Sequence, residues 1–173
     1  MRKCCLIWLM ILLLMIGASA EATFYSRGDA VAEFQVTTWD GKEISLAATL
    51  VEKEVVVLHI FSCSCGGCEE EMPLLQLVSE TYADRVALIA VTIADADTDK
   101  RLSTYCTRRG LTFPVARDTA GLAWQYPIYG VPSTFLIDQT GVLRAIKEGA
   151  FRDAEEYAAF LEPWLTPNVV VTE

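Results

Sequence analysis

The sequence predicts an α/β fold in which helices cover a mixed central sheet. Residues 55–61 (VVVLHIF) and 85–93 (RVALIAVTI) are near-continuous apolar runs, the kind buried on both faces of a parallel sheet. Each run is followed by a stretch with helical spacing of its apolar residues. Two more short runs, 134–138 and 142–147, flank the turn Gln139-Thr140-Gly141 and read as an antiparallel pair, with an amphipathic helix after them.

The elements follow in order. Residues 33–38 and 43–46 form a hairpin closed at Asp40-Gly41. After the strand at 55–61, Met72, Leu75 and Val78 recur at helical spacing within 65–82, and Pro73 is expected to kink that helix. The strand at 85–93 leads to a helix over 97–109, which has an acidic start and a stop at Gly110. Near the end, Asp153 and Glu156 make a capping-box-like start. Tyr157, Phe160, Leu161 and Trp164 then stripe one helix face, expected to be core.

The first residues are set apart from this fold. Arg2 and Lys3 precede an apolar run through Ile16, and Ala18-Ser19-Ala20 is a small-x-small cleavage signal. Residues 1–20 are therefore expected to be a secretory signal peptide, with an uncleaved membrane anchor as the alternative. The run is short of the roughly 20 apolar residues of a relaxed span. Cys4 and Cys5 lie before its apolar core and receive no function. Residues 21–173 are expected to form one domain.

Removing residues 1–20 takes away two cations and no anions, so the formal charge of −9 becomes −11 and six cysteines become four. An acidic domain of this kind offers no electrostatic footprint for nucleic acid or anionic lipid. Export also matters chemically, because thiols outside the cytosol tend to be oxidised.

The stretch 61–73, FSCSCGGCEEEMP, puts three thiols within six residues and three carboxylates directly after them. Cys65-Gly66-Gly67-Cys68 lies where a buried strand ends and a helix begins. Unpaired N–H groups and the positive end of the helix dipole stabilise a thiolate there, and the i, i+3 spacing is within disulfide reach. A redox centre is one reading. A structural disulfide would stabilise little, because its loop is tiny. A zinc or copper site could draw on Cys63, Cys65 and Cys68 with His59 or Cys106, yet His59 is the only histidine and no second CxxC exists. Inert buried thiols are the remaining alternative.

Residues 55–73 resemble the strand and active-site segment of thioredoxin-fold proteins, and Glu71-Met72-Pro73 points to the TlpA/ResA branch of exported thiol–disulfide oxidoreductases. Gly110-Leu-Thr-Phe-Pro-Val115 and Asp118-Thr-Ala-Gly121 resemble that branch's insertion. Residues 129–138, YGVPSTFLID, resemble its GVP(T/S)TFLID segment. The likeness covers about residues 28–165. It implies a thioredoxin fold with a mixed central sheet, an N-terminal β-hairpin and a TlpA-type insertion.

By that resemblance Cys65 is the attacking thiol and Cys68 the resolving thiol of a redox disulfide. Pro132 matches a proline that is cis in this fold. Val131 and Pro132 would then flank the dithiol with Gly66 and Gly67 and pair with an extended substrate segment. Glu71 matches a glutamate under the active-site helix; a solvated first-turn carboxylate is its bland alternative. Three departures stand out. Ser64 replaces the usual tryptophan, Gly66-Gly67 lacks a proline or charge between the cysteines, and His59 stands where classical thioredoxins bury an acid. A histidine there could relay a proton for Cys68, against the alternative of a neutral core histidine with one hydrogen bond. Cys63 and Cys106 are assigned no catalytic part, Cys106 being read as a packing thiol.

The resemblance implies an extracytoplasmic enzyme that needs no organic cofactor and no metal. Its substrates would be disulfides of exported proteins, apocytochrome c among them, and its electron donor a membrane thiol transporter. The rivals are a copper or zinc carrier on the same fold and a thiol peroxidase. The carrier lacks a histidine after His59, and the peroxidase lacks a Thr-x-x-Cys environment. Glu69, Glu70 and Glu71 follow the dithiol with no Lys or Arg near in sequence, so the thiolate should be disfavoured and the dithiol reducing.

Overall fold

The molecule was analysed as a computed structural model, which describes residues 24–167. The expected signal segment 1–20, with Cys4 and Cys5, lies outside the described residues. The small hairpin forms as expected from β1 (Gln35–Thr37) and β2 (Glu43–Ser45), with Val36 opposite Ile44. Five more strands make the main sheet: β3 (Val55–Phe61), β4 (Val86–Thr92), β5 (Val115–Arg117), β6 (Ser133–Asp138) and β7 (Leu143–Glu148). Their order is β5-β4-β3-β6-β7. β3, β4 and β5 run parallel, whereas β6 runs antiparallel to both its neighbours, β3 and β7, so the sheet is mixed.

All seven residues of β3 are buried because strands flank it on both edges and helices pack on both faces. Its alternation feeds two cores. Val55, Val57 and Phe61 pack with α2 (Gly66–Thr81), α3 (Asp99–Arg109) and α4 (Ala154–Leu161). Val56, Leu58 and Ile60 pack with Phe34, Val36 and α1 (Leu46–Glu52). Cutting a buried leucine such as Leu58 back to alanine would cost about 2–5 kcal/mol at a site of this kind.

The helix α1 is missing from the sequence reading, which ran the hairpin into Leu46. Ser45 starts it by accepting the Ala48 N–H, and Leu46 and Leu50 bury one short face. Strand β5 links the two stretches, 110–115 and 118–121, attributed to the insertion, and the 3-10 turn Leu122–Trp124 follows them. The third helix begins two residues later than expected. Thr98 caps it, while Asp97 turns inward and is fully buried. Gly110 ends it in the left-handed region at φ 63°. Pro73 falls inside α2 without ending it. In the last helix Tyr157 and Leu161 are buried, but Trp164 leaves the stripe and is 38% exposed. Pro163 breaks the α-helical run there, and Trp164 sits in a 3-10 turn.

This topology concentrates three loops at one sheet edge. The C-terminal end of β3 carries the cysteines. Beside it, antiparallel β6 begins just after Pro132, with Ser133 opposite Ile60. On the other side β4 ends at Thr92, opposite Phe61, and leads to Asp97 and α3.

Candidate active site

The backbone turns sharply after β3. The Cys65 N–H donates to the Ser62 carbonyl at 3.1 Å, and Cys65 becomes the N-cap of α2. Its sulfur accepts the Cys68 N–H at 3.1 Å, and its carbonyl accepts the Glu69 N–H at 3.0 Å. Cys65 and Cys68 are joined as a disulfide with their Cα atoms 5.2 Å apart. Cys65 is partly exposed and Cys68 fully buried, so a partner can reach only the first sulfur directly. Ser64 is exposed, and its hydroxyl lies 3.0 Å from that of Ser62.

Val131 and Pro132, joined by a cis peptide bond, face this turn. The Val131 carbonyl oxygen lies 3.5 Å from Cys65 Sγ. A Cβ added at Gly67 would meet Pro132 Cδ at 3.9 Å, whereas one at Gly66 would meet open space. Cys65, Gly66, Gly67, Cys68, Val131 and Pro132 thus meet at one edge.

His59 and Glu71 meet elsewhere, inside the molecule. His59 lies on β3 with its side chain on the same face as Val57 and Phe61, and Glu71 is one helical turn past Cys68. Both are buried. His59 Nδ1 is 3.0 Å from Thr134 Oγ1, on the residue directly across the β3–β6 pair. His59 Nε2 is 3.8 Å from Glu71 Oε2, and neither atom has a hydrogen-bond partner among the described residues. Glu71 accepts the Phe151 N–H at 2.9 Å through its other oxygen.

Burial drives the His59 pKa down to about 3, so the imidazole is neutral and the contact is no ion pair. Burial also drives Glu71 up, to about 7, against the Phe151 N–H and the Lys147 charge; Glu156 adds to the rise. Glu71 is not a solvated first-turn carboxylate. It can gain or lose a proton near neutrality, facing a neutral imidazole.

Cys63 belongs to a different corner. Its N–H donates to Asp97 Oδ2 at 2.9 Å, and the Thr92 hydroxyl donates to the same oxygen at 2.6 Å. Arg101 Nε stands 3.2 Å from Asp97 Oδ1. Burial first, then the Asp97 charge, pushes the Cys63 thiol up to about 12. Cys106 is buried in the core, and burial raises its thiol to about 11. Among the described residues no three His, Cys, Asp or Glu side chains are grouped so as to hold a metal ion.

No Lys or Arg lies near the carboxylates following the dithiol in sequence, but the fold brings one to them. Arg109, 40 residues from Glu69, is ion-paired with it, and its guanidinium lies 3.8 Å from the Tyr105 ring centroid. Helix α3 packs beside the start of α2, a proximity that sequence separation hides. Asp97 was missed for a related reason: Asp95, Asp97 and Asp99 alternate along the chain, and nothing local tells which one turns inward. Thr134 lay inside a recognised strand, but its link to His59 depends on strand register.

A family model described as the AhpC/TSA family matches residues 27–146. The thiol-disulfide oxidoreductase ResA of Bacillus cereus is 31% identical, over 94% of this chain and all of its own length. The crystal structure of StoA from Bacillus subtilis aligns with 76% of this chain and 98% of its own, with a TM-score of 0.63 and 27% identity. A thiol:disulfide interchange protein of the thioredoxin family from Chlorobium tepidum reaches a TM-score of 0.68 at 23% identity, covering 80% of this chain and 97% of its own.

Proposed function

The chain belongs to the AhpC/TSA family and is a thiol–disulfide oxidoreductase of the ResA and StoA type with a thioredoxin fold, and from that premise we propose that it is a reductant working outside the cytoplasm through Cys65 and Cys68. The Cys65 thiolate attacks one sulfur of a client disulfide, and the other client sulfur leaves as a thiolate. Cys68 then attacks Cys65, releasing the second client thiol and closing the Cys65–Cys68 disulfide. Two electrons pass to the client, and an external dithiol must return them. Disulfides of exported proteins are the client class, apocytochrome c cysteines among them, and a membrane thiol transporter is the donor. The targeting pattern of residues 1–20 supports the location, with cleavage or a retained tether as its two outcomes.

The observation that carries the mechanism is the Glu71–His59 pair one turn from Cys68. Cys68 is buried, so it loses its proton only to a nearby acceptor. Glu71, with a pKa of about 7, is such an acceptor at neutral pH, and His59 faces its second oxygen. Val131 and Pro132 offer backbone to an extended client segment beside Cys65.

The same features favour reduction. Cys68 is desolvated, Glu71 adds negative charge beside it when ionised, and Gly66-Gly67 contributes no side-chain donor. Arg109 offsets only Glu69. The Cys68 N–H and the helix dipole favour a thiolate at Cys65, but these features oppose them, so the dithiol form has no special stability and gives up its electrons. Equilibration with glutathione at neutral pH should yield a midpoint of about −250 mV or lower. A midpoint above about −180 mV, the level of protein disulfide isomerase, would make it an oxidant or isomerase instead.

A further inference from the structure

A cleft of about 500 Å³ opens beside the cysteine turn, walled by Cys63, Glu69, Lys100, Arg101, Arg108 and Arg109. That volume is in the range of sites that enclose a small ligand or a few side chains. Four of its walls are cationic and one is a carboxylate, on a chain whose formal charge is −9. Two of the cations are engaged: Arg109 with Glu69, and Arg101 with buried Asp97 behind the wall. Lys100 and Arg108 are exposed, and neither has a carboxylate within ion-pair distance among the described residues. Acidic groups dominate the chain as a whole, so this cleft is a local reversal of its field.

The cleft also has a definite position relative to the dithiol. Cys63 precedes Cys65 by two residues, and Glu69 follows Cys68 directly. The Val131–Pro132 loop stands on the β6 side of the turn, and the cleft on the β4 and α3 side. A client segment that pairs with Val131 and places its cysteine at Cys65 would lie against the turn whose other side, at Cys63 and Glu69, borders the cleft.

We propose that this cleft is a specificity site for acidic residues of the client polypeptide next to its disulfide, with Lys100 and Arg108 as the free cations that receive their carboxylates. The inference rests on the reading of Cys65 and Cys68 as the working dithiol. Complementary charge of this kind acts mainly on encounter and partner choice, and salt weakens it.

The test uses the reduced full domain and three disulfide-bonded peptides of equal length whose flanking pairs are Glu, Gln or Lys. Single-turnover reduction should run about 10-fold faster for the Glu peptide than for the Lys peptide at low salt. At roughly 0.5 M salt the ratio should fall to about 2-fold. In the double variant Lys100→Glu/Arg108→Glu the order of the two peptides should reverse. The readout is a ratio within one protein, so a general loss of activity in the variant cancels. Equal rates for the Glu and Lys peptides in the wild type overturn the inference, as does a preference for the Glu peptide that survives the double variant. The Gln peptide tests the premise: if the wild type fails to reduce it, the dithiol reading falls and this inference with it.

Discussion

Glu71 and Asp97 flank the same cysteine turn, and both are almost wholly removed from water, at 2% and 0% exposure. Their titration nevertheless runs in opposite directions. Burial alone raises any carboxylate pKa. Asp97 is pushed up by burial but receives the Thr92 hydroxyl, the Cys63 N–H and the Arg101 charge, with help from Ser62, and ends below the ordinary carboxylate range. Glu71 has one N–H donor and faces a neutral imidazole at 3.8 Å, so burial wins and the pKa rises to about 7. Desolvation is common to both; the number of donors decides which carboxylate stays an anion. Asp97 is therefore a fixed anion that shapes the loop before the dithiol, and Glu71 is the group to which the proposed mechanism assigns proton exchange behind it.

The largest effects break the comparison at the thiols. If chemistry belongs to the Glu71 side, Cys65→Ser abolishes client reduction and Cys68→Ser accumulates client-linked mixed disulfide, seen by mass after acid quench. Cys63→Ser, on the Asp97 side, keeps most of the activity. A Cys63→Ser protein as inactive as Cys65→Ser would reassign the pair.

Next in size is Asp97→Ala, which leaves a buried N–H, a hydroxyl and Arg101 without their acceptor. Unfolding in urea should show a loss of about 3–5 kcal/mol, with the pH profile of turnover unchanged. The stability that Asp97 contributes is present above its ordinary pKa of 3.8 and is lost as pH falls through its lower folded value. A loss below about 1 kcal/mol would mean that its hydrogen bonds do not organise the loop.

Glu71→Gln should slow resolution by about 10- to 100-fold and remove the pH dependence near 7 from that step. The sign for stability is opposite to that of Asp97. The folded protein holds the Glu71 proton more tightly than the unfolded chain, so its ionisation costs stability progressively from about pH 4.5 to about pH 7. That penalty is on the order of 3 kcal/mol. Glu71→Gln should flatten the decline, and a wild-type pH profile of both rate and stability would falsify the proton-exchange role.

The smallest effect is expected for His59→Asn, which keeps a polar atom near Thr134 but withdraws from Glu71. Mixed-disulfide resolution should slow by about 10-fold, more than the initial attack. His59 remains neutral in the folded state, so the unfolded chain takes up its proton first, and stability falls as pH drops from 6.5 toward 3. The variant should lose that acid-side decline. Rates of resolution equal to wild type across pH 6–9 would leave His59 a packing residue only.

The sequence by itself determined the elements whose signals are local and strong. Strand β3 runs Val55–Phe61 as its uninterrupted apolar residues indicate, and the turn at Asp40-Gly41, the stop at Gly110 and the cap at Asp153 are all where their residue types demand. Short elements were lost: α1 has only two buried positions, and β5 has three residues, too few for periodicity to register. The place of the CxxC at a strand-to-helix junction was equally legible, because one run of 13 residues contains the strand end, the thiols and the helix start.

Only the tertiary structure decided which charges matter. Three glutamates follow Cys68, yet one meets Arg109, one stays exposed and one is buried against His59. Three aspartates alternate around the start of α3, and one turns inward. Local pattern cannot separate them, because a carboxylate's role depends on how much water it loses and how many donors replace that water. Those donors come from Arg109, Phe151, Thr92 and Arg101, brought to the site by packing and by the order of strands in the sheet.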